Sequence, residues 1–274
     1  MQNYHKHTCC SNIYTPDSPA TYEQYAKRAV ELSQNILCSL EHGWQGKYHE
    51  CREIAIKYGL KFIFGTEAYW VKDRHEKDRT NCHIVLLAKN ENGRQWINEV
   101  LSTANEDGYY YRPRLDEELL FQLPPNDVFV TSACVAFWHY EPNYVENLVL
   151  RLHNHFKDNF MLEIQAHNTD KQKQLNARIL ELSKKYGIQM IVGLDSHYIY
   201  PEQSVERDAL LAASDTHYDD EDGWYMDYPN EATVRQRFAE QGIVPPAAVD
   251  QAVRNTDLIC DFEDYDSEVF QTNR

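Results

Sequence analysis

Two stretches with the same pattern, KYGLKFIFGTE (57–67) and KYGIQMIVGLD (185–195), decide the predicted fold. Each begins with Lys-Tyr-Gly, continues as a short apolar run and ends at a carboxylate. A glycine directly after a helical pattern is a common helix stop, because it adopts the left-handed conformation without steric cost. The apolar run that follows is typical of a buried strand. Both stretches therefore predict a helix–strand junction with an acidic side chain where the strand ends.

The same alternation of helix and strand extends through residues 1–200 and predicts an α/β fold. Strands joined by crossover helices form a parallel sheet, and seven such units favour a distorted seven-stranded (β/α)7 barrel of TIM-like type. An open doubly wound sheet is the alternative. The predicted strands are the N-terminal segment reaching His5, 35–40, 61–67, 83–88, 127–134, 160–165 and 188–195, and the predicted helices are 21–34, 47–59, 93–104, 145–156 and 170–187.

The C-terminal part of the sequence, residues 201–274, has a different character. It contains an acidic stretch, DDEDGW (219–224), and two helical patterns near 230–240 and 246–259. We interpret it as a helical C-terminal extension that packs on the barrel formed by residues 1–200.

Charge and cysteine content limit the functions to be considered. A formal net charge of −16 on 274 residues argues against a broad basic surface for nucleic acid. It does not exclude a nuclease, because carboxylates that bind metal are offset by the ions themselves. The seven cysteines have irregular spacing that fits no disulfide framework. No apolar run reaches the roughly 20 residues of a membrane-spanning helix. We therefore expect a cytoplasmic protein with reduced thiols and no membrane contact.

Side chains that can bind metal collect at the ends of the predicted strands. At the C-terminal rim of a β/α barrel, separate strand ends converge on one site. Residues two apart in an extended chain point to the same side, so both histidines of an HxH motif can reach one ion. Such a cluster favours metal-assisted hydrolysis of phosphate esters. The candidates are His5, His7, His42, Glu67, Cys134, Asp195 and His197, together with His83, which opens a strand instead of ending one.

Other types of catalytic site lack support in the sequence. Neither GxxxxGK[ST] nor GxGxxG is present, and no GxSxG nucleophile elbow is found. The remaining histidines lie in helical or loop contexts, where exposure to solvent or an ordinary hydrogen bond explains them. They are His49, His75, His139, His153, His155, His167 and His217.

The motifs form a recognisable set: HKH (5–7), GTEAY (65–69), SAC (132–134), DSHY (195–198), YYRPRLD (110–116) and NTDLIC (255–260). Together they resemble the PHP (polymerase and histidinol phosphatase) family, and more narrowly the PHP domains at the N-terminus of bacterial DNA polymerase III alpha subunits. The resemblance covers nearly the whole chain. It implies a distorted seven-stranded barrel and two or three divalent metal ions, which would be zinc, manganese or iron.

The resemblance also divides the candidate ligands among the ions. His5, His7, Glu67 and Asp195 resemble the ligands of a first ion, and Glu67, His83 and Cys134 those of a second, with Glu67 as the bridging carboxylate. A third ion would be held by His42 and His197, together with Asp17 or, as the alternative, Asn12. The sequence departs from the family pattern at Glu41, where the family usually has aspartate before the histidine.

The function implied by the resemblance is a metal-dependent 3′–5′ exonuclease associated with DNA replication or proofreading. Its substrate would be a single-stranded DNA end or a nucleotide, and its partner a replicative DNA polymerase. Polymerisation itself is not expected of this chain. Two alternatives remain open, a small-metabolite phosphatase of the histidinol-phosphatase type and a non-catalytic, metal-stabilised domain that docks onto a polymerase. The catalytic residues would be His5, His7, Glu67, Asp195 and His197.

Two arginines and three tyrosines lie between the fourth and fifth predicted strands. Arg112 and Arg114 are candidates for binding a substrate phosphate, because guanidinium groups bind phosphate in a bidentate manner. Salt bridges to nearby acidic residues are the alternative. The tyrosines at 109–111 are candidates for stacking on a base, with packing under the loop as the alternative.

Overall fold

The computed structural model describes residues 1–14, 16–216 and 223–264. A curled mixed sheet forms its centre, and helices cover the outside of the sheet. His217 and residues 219–222 of the predicted acidic stretch lie outside the described residues. The strands are β1 (Ile36–His42), β2 (Lys61–Trp70), β3 (Cys82–Ala88), β4 (Tyr109–Tyr110), β5 (Arg112–Leu115), β6 (Val128–Thr131), β7 (Phe160–Ile164) and β8 (Met190–Val192).

The sheet curls in the order β1-β2-β3-β6-β7-β8. The N-terminal segment lies next to the chain that follows β8, because Lys6 forms a parallel bridge with Ser196. On its other side, side chains join this segment to β1 and the residue before it: the amide of Asn35 donates to Gln2 Oε1 at 2.8 Å, and the amide of Thr8 donates to Glu41 Oε2 at 3.1 Å. The result is the predicted distorted barrel of seven strands in a curled form, with a seam at the N-terminal segment, which is joined to β1 through side chains.

One strand runs against the predicted direction. β3 is antiparallel to both β2 and β6, and Tyr69 is paired with His83. The expectation of an all-parallel sheet was therefore wrong at β3. The physical reason is the connection 71–81, which contains no helix and makes a hairpin, whereas parallel neighbours need a crossover. Because of the reversal, the first residues of β3 lie at the same rim as the last residues of β2.

Two short strands were not predicted. β5 pairs in parallel with the end of β2, through Tyr69 with Arg114 and Trp70 with Leu115, and β4 pairs antiparallel with β5. The sequence pattern had placed Arg112 and Arg114 in a connection. These strands are only two and four residues long, and β5 contains Pro113, so the pattern for a strand is weak there.

Most of the helices begin and end close to their predicted positions. Gly187 follows α6 with φ of +70° and donates its N–H to the carbonyl of Ser183, which confirms the predicted helix stop. None of the described helices is long and apolar enough to cross a membrane. Helix α7 was not predicted. The helices are α1 (Tyr22–Glu31), α2 (Tyr48–Lys57), α3 (Glu91–Glu106), α4 (Glu117–Leu120), α5 (Pro142–Phe156), α6 (Asp170–Tyr186), α7 (Ser204–Ala213), α8 (Glu231–Gln241) and α9 (Pro246–Asn255).

Alternation along the strands separates two apolar layers. In β1, Ile36, Cys38 and Leu40 belong to the cluster inside the barrel, whereas Leu37 belongs to the layer between sheet and helices. Strands β2 and β3 alternate in the same way. Since side chains in a strand alternate with a period of two, the inward series of β1, β2 and β3 continue to polar residues at the rim. Those residues are His42, Glu67 and His83.

Candidate metal centre

Glu67 lies at the centre of the rim, and its two oxygens face different histidines. Oε2 lies 2.7 Å from His42 Nδ1, 3.2 Å from His83 Nδ1 and 3.4 Å from His7 Nε2. Oε1 lies 3.2 Å from His5 Nε2. The side chain is fully buried. A carboxylate whose oxygens face separate groups of imidazoles has the arrangement of a bridging ligand.

Asp195 faces the same two N-terminal histidines from across the seam. Its Oδ1 lies 3.3 Å from His5 Nε2 and 3.1 Å from His7 Nε2. Its backbone has φ of +48°, a left-handed conformation that is uncommon outside glycine. Positions with such strain cluster at functional sites, where the surrounding structure holds them in place.

His197 and Asp17 complete one side of the centre. His197 Nδ1 lies 2.9 Å from the carbonyl oxygen of Asp195 and donates to it, which directs Nε2 toward Asp17 Oδ2 at 3.4 Å. The ring of His7 stacks on that of His42, with centroids 3.9 Å apart. His197 therefore approaches His7 and His42 as well as Asp17.

Cys134 lies on the opposite side, with Sγ 3.5 Å from His83 Nδ1. The preceding Ala133 has φ of +46°, a second left-handed non-glycine position at this rim. The structure thus brings all nine predicted metal ligands to one rim. Three groups of ligand atoms lie within 4.8 Å of one another: His5, His7 and Glu67; His42, Glu67 and His83; and His7, His42 and His197. In this arrangement His42 contacts Glu67 as well as the side formed by His197.

Buried polar atoms without good hydrogen bonds show that the centre fits divalent cations. An unsatisfied buried polar atom costs about 1 to 3 kcal/mol, so several of them converging on one space need a common partner. The mixed nitrogen, oxygen and sulfur donors are suited to transition-metal ions. Among the described residues, the atoms without a well-directed partner include His5 Nε2, His7 Nε2, Asp17 Oδ1, His42 Nδ1, Asp195 Oδ1 and both carboxylate oxygens of Glu67.

The electrostatics of the centre differ between its ligands. Against the effect of burial, Glu163 and Asp195 raise the pKa of His5 and Glu67 raises that of His42, so an ion that binds these two imidazoles would displace protons. Burial alone would raise the pKa of Glu67, but His83, His42 and His5 outweigh it and hold this pKa well below the usual value. The pKa of Asp195 is likewise lowered, by His5 and His7 against the effect of burial. Burial lowers the pKa of His7 to about 3. The centre therefore presents ionised carboxylates and a neutral His7 imidazole, the forms in which these residues act as ligands.

A buried carboxylate that was not among the predicted site residues supports His5. Glu163, on β7, accepts hydrogen bonds from Tyr4 Oη at 2.7 Å, Thr131 Oγ1 at 2.9 Å and Gln165 Nε2 at 2.8 Å, and it lies 2.7 Å from His5 Nδ1. A proton on Nδ1 leaves Nε2 free as the ligand atom. The sequence signal was a carboxylate on the inward face of an otherwise apolar strand.

Glu41, the departure from the family pattern, has a structural role. Its carboxylate accepts hydrogen bonds from the Thr8 amide at 3.1 Å, Thr8 Oγ1 at 2.8 Å and Ser11 Oγ at 2.5 Å. These contacts hold the loop after His7 against β1, next to His42.

A cavity of about 270 Å³ opens above the metal centre. Arg112 lines it, next to Asn81, which accepts a hydrogen bond from Arg112 Nη1 at 2.6 Å. Arg114 is buried elsewhere, and its guanidinium donates to the backbone carbonyls of residues 74, 76, 78 and 108. Of the two arginines predicted to bind substrate, the structure thus places Arg112 at the cavity and gives Arg114 a structural role.

Two of the histidines assigned to ordinary contexts lie close to the site. His139 lines the cavity. His167 is buried, and its Nδ1 accepts from the Tyr225 amide at 3.0 Å, so the proton of the neutral ring is on Nε2. Among the described residues, Nε2 has no hydrogen-bond partner. Neither histidine shares a motif with the ligands, but His167 follows the predicted strand 160–165, which is the strand-end position that marks the other candidates.

Comparison with known proteins finds similarity to DNA polymerases. The DNA polymerase III alpha subunit of Aquifex aeolicus is 29% identical over 76% of this chain and 19% of its own length. The corresponding subunit of Thermus aquaticus is 30% identical over 88% of this chain and 21% of its own length. A DNA-directed DNA polymerase of Bacillus phage SPbeta is 26% identical over 97% of this chain and 24% of its own length. The chain spans about a fifth of the length of these relatives.

Among solved structures, an amidohydrolase from Chromobacterium violaceum, with bound sulfate and no metal, covers 90% of this chain and 99% of its own, with a TM-score of 0.48 and 15% identity. The family itself is identified from the sequence, since residues 3–167 match the PHP domain. The match includes seven of the nine predicted ligands at the rim and the strands that carry them. This chain belongs to the PHP domain family.

Proposed function

We propose that this chain is a metal-dependent phosphoesterase that removes nucleotides from the 3′ end of single-stranded DNA, in association with DNA replication or proofreading. The observation that carries the proposal is the complete set of nine ligands, which converge on a cavity large enough to admit a phosphate group. The ions would be two or three in number, and zinc, manganese or iron suits the donor set better than magnesium.

The residues of the chain would prepare the site in distinct ways. Glu67 would bridge two ions, because its oxygens face different groups of imidazoles. Glu163 fixes the His5 tautomer, and the carbonyl of Asp195 fixes that of His197. Arg112, on the cavity wall, would hold a phosphate oxygen of the substrate. When bound, divalent ions supply Lewis-acid activation of the phosphoryl group and of the attacking water.

The relatives support DNA as the substrate and a polymerase as the partner. All three are DNA polymerases by name, and this chain matches about a fifth of each. A domain of this kind would act on the 3′ end of a strand handled by a polymerase. The same observation favours a second candidate, a metal-stabilised docking domain without turnover.

The experiment incubates purified, metal-analysed protein with end-labelled single-stranded DNA and Mn²⁺ or Zn²⁺. We expect release of mononucleotides from the 3′ end. Asp195→Asn should lower kcat/KM by at least about 100-fold, because loss of a metal ligand exceeds the usual effect of a supporting residue. The control, Asp158→Asn, removes an exposed carboxylate far from the rim and should be neutral.

The other outcomes separate the alternatives. Turnover of small phosphomonoesters without release of mononucleotides would identify a small-metabolite phosphatase. Metal bound at the rim, with no turnover of either substrate, would leave the docking domain. No bound metal after incubation with either ion would refute the proposal at its base.

A further inference from the structure

A second cavity, of about 210 Å³, adjoins the one above the metal centre. The two cavities share three lining residues, Tyr69, Asn81 and Arg112. The second cavity extends outward along the β4–β5 hairpin and the connection 71–81. We call this second cavity the hairpin groove. Its other lining residues are Asp78, Arg79, Thr80, Tyr110, Tyr111 and Arg114.

Tyr111 shows backbone strain at the outer end of the hairpin groove. It has φ of +64°, and 61% of its surface is exposed. A bulky residue in this conformation is a strained outlier. Burial does not compensate this strain, because the ring lies mostly in solvent. Strain retained at an exposed aromatic side chain points to a function for that side chain.

Arg79 pairs with Tyr111. Its guanidinium carbon lies 4.0 Å from the centroid of the Tyr111 ring, and its Nη2 donates to the Tyr111 hydroxyl. The guanidinium lies over one face of the ring, so the pair presents a cationic plane and an aromatic plane stacked on each other at the exposed side of the groove. Both components stack well on nucleobases.

Arg112 lies where the groove meets the metal cavity. Its guanidinium carbon lies 4.7 Å from the centroid of the Tyr69 ring. The acid in the groove, Asp78, is engaged by the Tyr140 hydroxyl and the Thr80 amide. Three arginines, Arg79, Arg112 and Arg114, line the groove beside this one acid, on a chain whose formal net charge is −16. This local reversal of charge is complementary to a phosphate backbone.

We propose that the hairpin groove binds a single-stranded polynucleotide, with a base on the Arg79–Tyr111 surface and a backbone phosphate at Arg112. A positively charged groove with aromatic side chains is the usual composition of single-strand binding sites. The proposal rests on the proposed function, because the strand would enter the metal cavity from this groove. It adds where the strand binds outside the metal cavity, at a groove that a small phosphomonoester in the metal cavity would not reach.

The experiment measures binding separately from hydrolysis. Fluorescein-labelled dT6 and rU6 are titrated with the Asp195→Asn protein at about 50 mM salt, and anisotropy is recorded. We expect Tyr111→Ala to weaken binding about tenfold, the usual effect of losing one stacked base. Tyr111→Phe should bind as the parent protein does. Arg79→Ala should also weaken binding, because it removes part of the stacking surface. Arg112→Ala should lower the slope of log affinity against log salt by about 0.7, the value for one phosphate contact on a single strand.

The control is Tyr109→Ala. Tyr109 is also an exposed tyrosine of this hairpin, with 56% of its surface accessible, but it does not line the groove. The Tyr109→Ala variant should bind both oligonucleotides with an affinity within twofold of that of the parent protein. In the wild-type background, neither Tyr111→Ala nor Arg79→Ala should change hydrolysis of thymidine 5′-(p-nitrophenyl phosphate), which is too short to reach Tyr111.

The results would decide between the two proposals independently. Equal affinities for Tyr111→Ala and Tyr109→Ala, or no binding of either oligonucleotide by the parent protein, would overturn the hairpin groove. Binding that depends on Tyr111, in a protein that releases no mononucleotides, would retain the groove and reject the exonuclease. Circular dichroism of each variant shows whether a loss of binding comes from loss of folding.

Discussion

Adding one methyl group at Gly193 should disrupt the metal centre without changing any ligand. Gly193 follows β8, and a Cβ built on it would lie 2.0 Å from Glu163 Oε1 and 2.2 Å from Glu163 Cδ. No real Cβ atom is found so close to another heavy atom, so Glu163 must move. Its carboxylate is held by Tyr4, Thr131 and Gln165 and lies 2.7 Å from His5 Nδ1. The Glu163 carboxylate therefore cannot move away without breaking some of these hydrogen bonds.

The magnitude follows from these contacts. Overpacking of a buried site costs about 1 to 3 kcal/mol, and loss of one hydrogen bond to a charged group costs about 1.5 to 3 kcal/mol. Because movement of Glu163 relieves part of the overlap, we expect Gly193→Ala to lower the free energy of unfolding by about 2 to 4 kcal/mol. Metal affinity should fall about 10- to 100-fold, the usual effect of disturbing a residue that orients a ligand.

Gly187→Ala provides the matched control. A Cβ at Gly187 would meet no atom within 4 Å, but its φ is +70°. Alanine in this left-handed conformation costs about 1 to 2 kcal/mol, so this variant loses stability through the backbone alone. Gly187 lies before β8, at the end of the strand that is opposite the rim. The metal affinity of Gly187→Ala should therefore equal that of the wild type.

The assay combines two measurements on each variant. Urea unfolding in the presence of a chelator gives the stability of the metal-free protein, and competition with a fluorescent chelator gives the affinity for Zn²⁺ or Mn²⁺. If the metal affinity of Gly193→Ala lies within about twofold of the wild-type value, the role of Glu163 is refuted. An equal loss of affinity in both variants would show that the effect follows stability in general. In either case the ligand geometry would not depend on the Glu163 network.

Two further predictions concern residues outside the rim. Arg114→Ala should lower the free energy of unfolding in urea by about 2 to 4 kcal/mol, because it leaves several buried carbonyls unpaired. Arg112→Ala is the comparison variant, and an equal loss of unfolding free energy in the two variants would contradict this. Hydrogen bonds from Tyr186 and Lys185 lower the pKa of Glu146 from 4.5 to about 2. The ionised Glu146 carboxylate therefore stabilises the folded protein fully above pH 4.5, and this contribution is lost as the pH falls toward 2. Because the site is partly exposed, the contribution is less than about 1 kcal/mol. Glu146→Gln should remove that part of the acid dependence measured by thermal unfolding, and an unchanged profile would contradict the assignment.

The positions of the ligands could be predicted because they depend on local sequence. Strand ends are marked by apolar runs and by glycine stops such as Gly187, and side-chain direction follows from the period of two. These local signals are sufficient to assign Glu67 and Asp195 to one rim. The direction of β3 could not be predicted in this way, because alternation is identical in a strand read from either end. Only the length of the connection 71–81 and its lack of a helical pattern distinguish the two directions.

The supporting residues were missed for a different reason. Glu163 acts through Tyr4, Thr131 and His5, which lie far from it in sequence, and no short motif joins them. Arg114 was assigned to substrate because a guanidinium beside a motif is suited to phosphate. The structure instead directs it to carbonyls of the connection 71–81 and of the loop before β4. Such long-range pairings depend on packing that residue patterns do not encode.

The seam of the barrel has a consequence for the exchange of ions with solution. His5 and His7 lie on one side of it and Asp195 on the other, and the bridge between these segments consists of two backbone hydrogen bonds, His7 N–H to Ser196 O and Ser196 N–H to His5 O. Local opening needs less free energy where few ladder bonds must break, so amide protons here exchange with solvent sooner than those of β2 and β3. One such opening separates three ligands at once. The dissociation rate of an ion is thereby coupled to transient opening of the barrel wall.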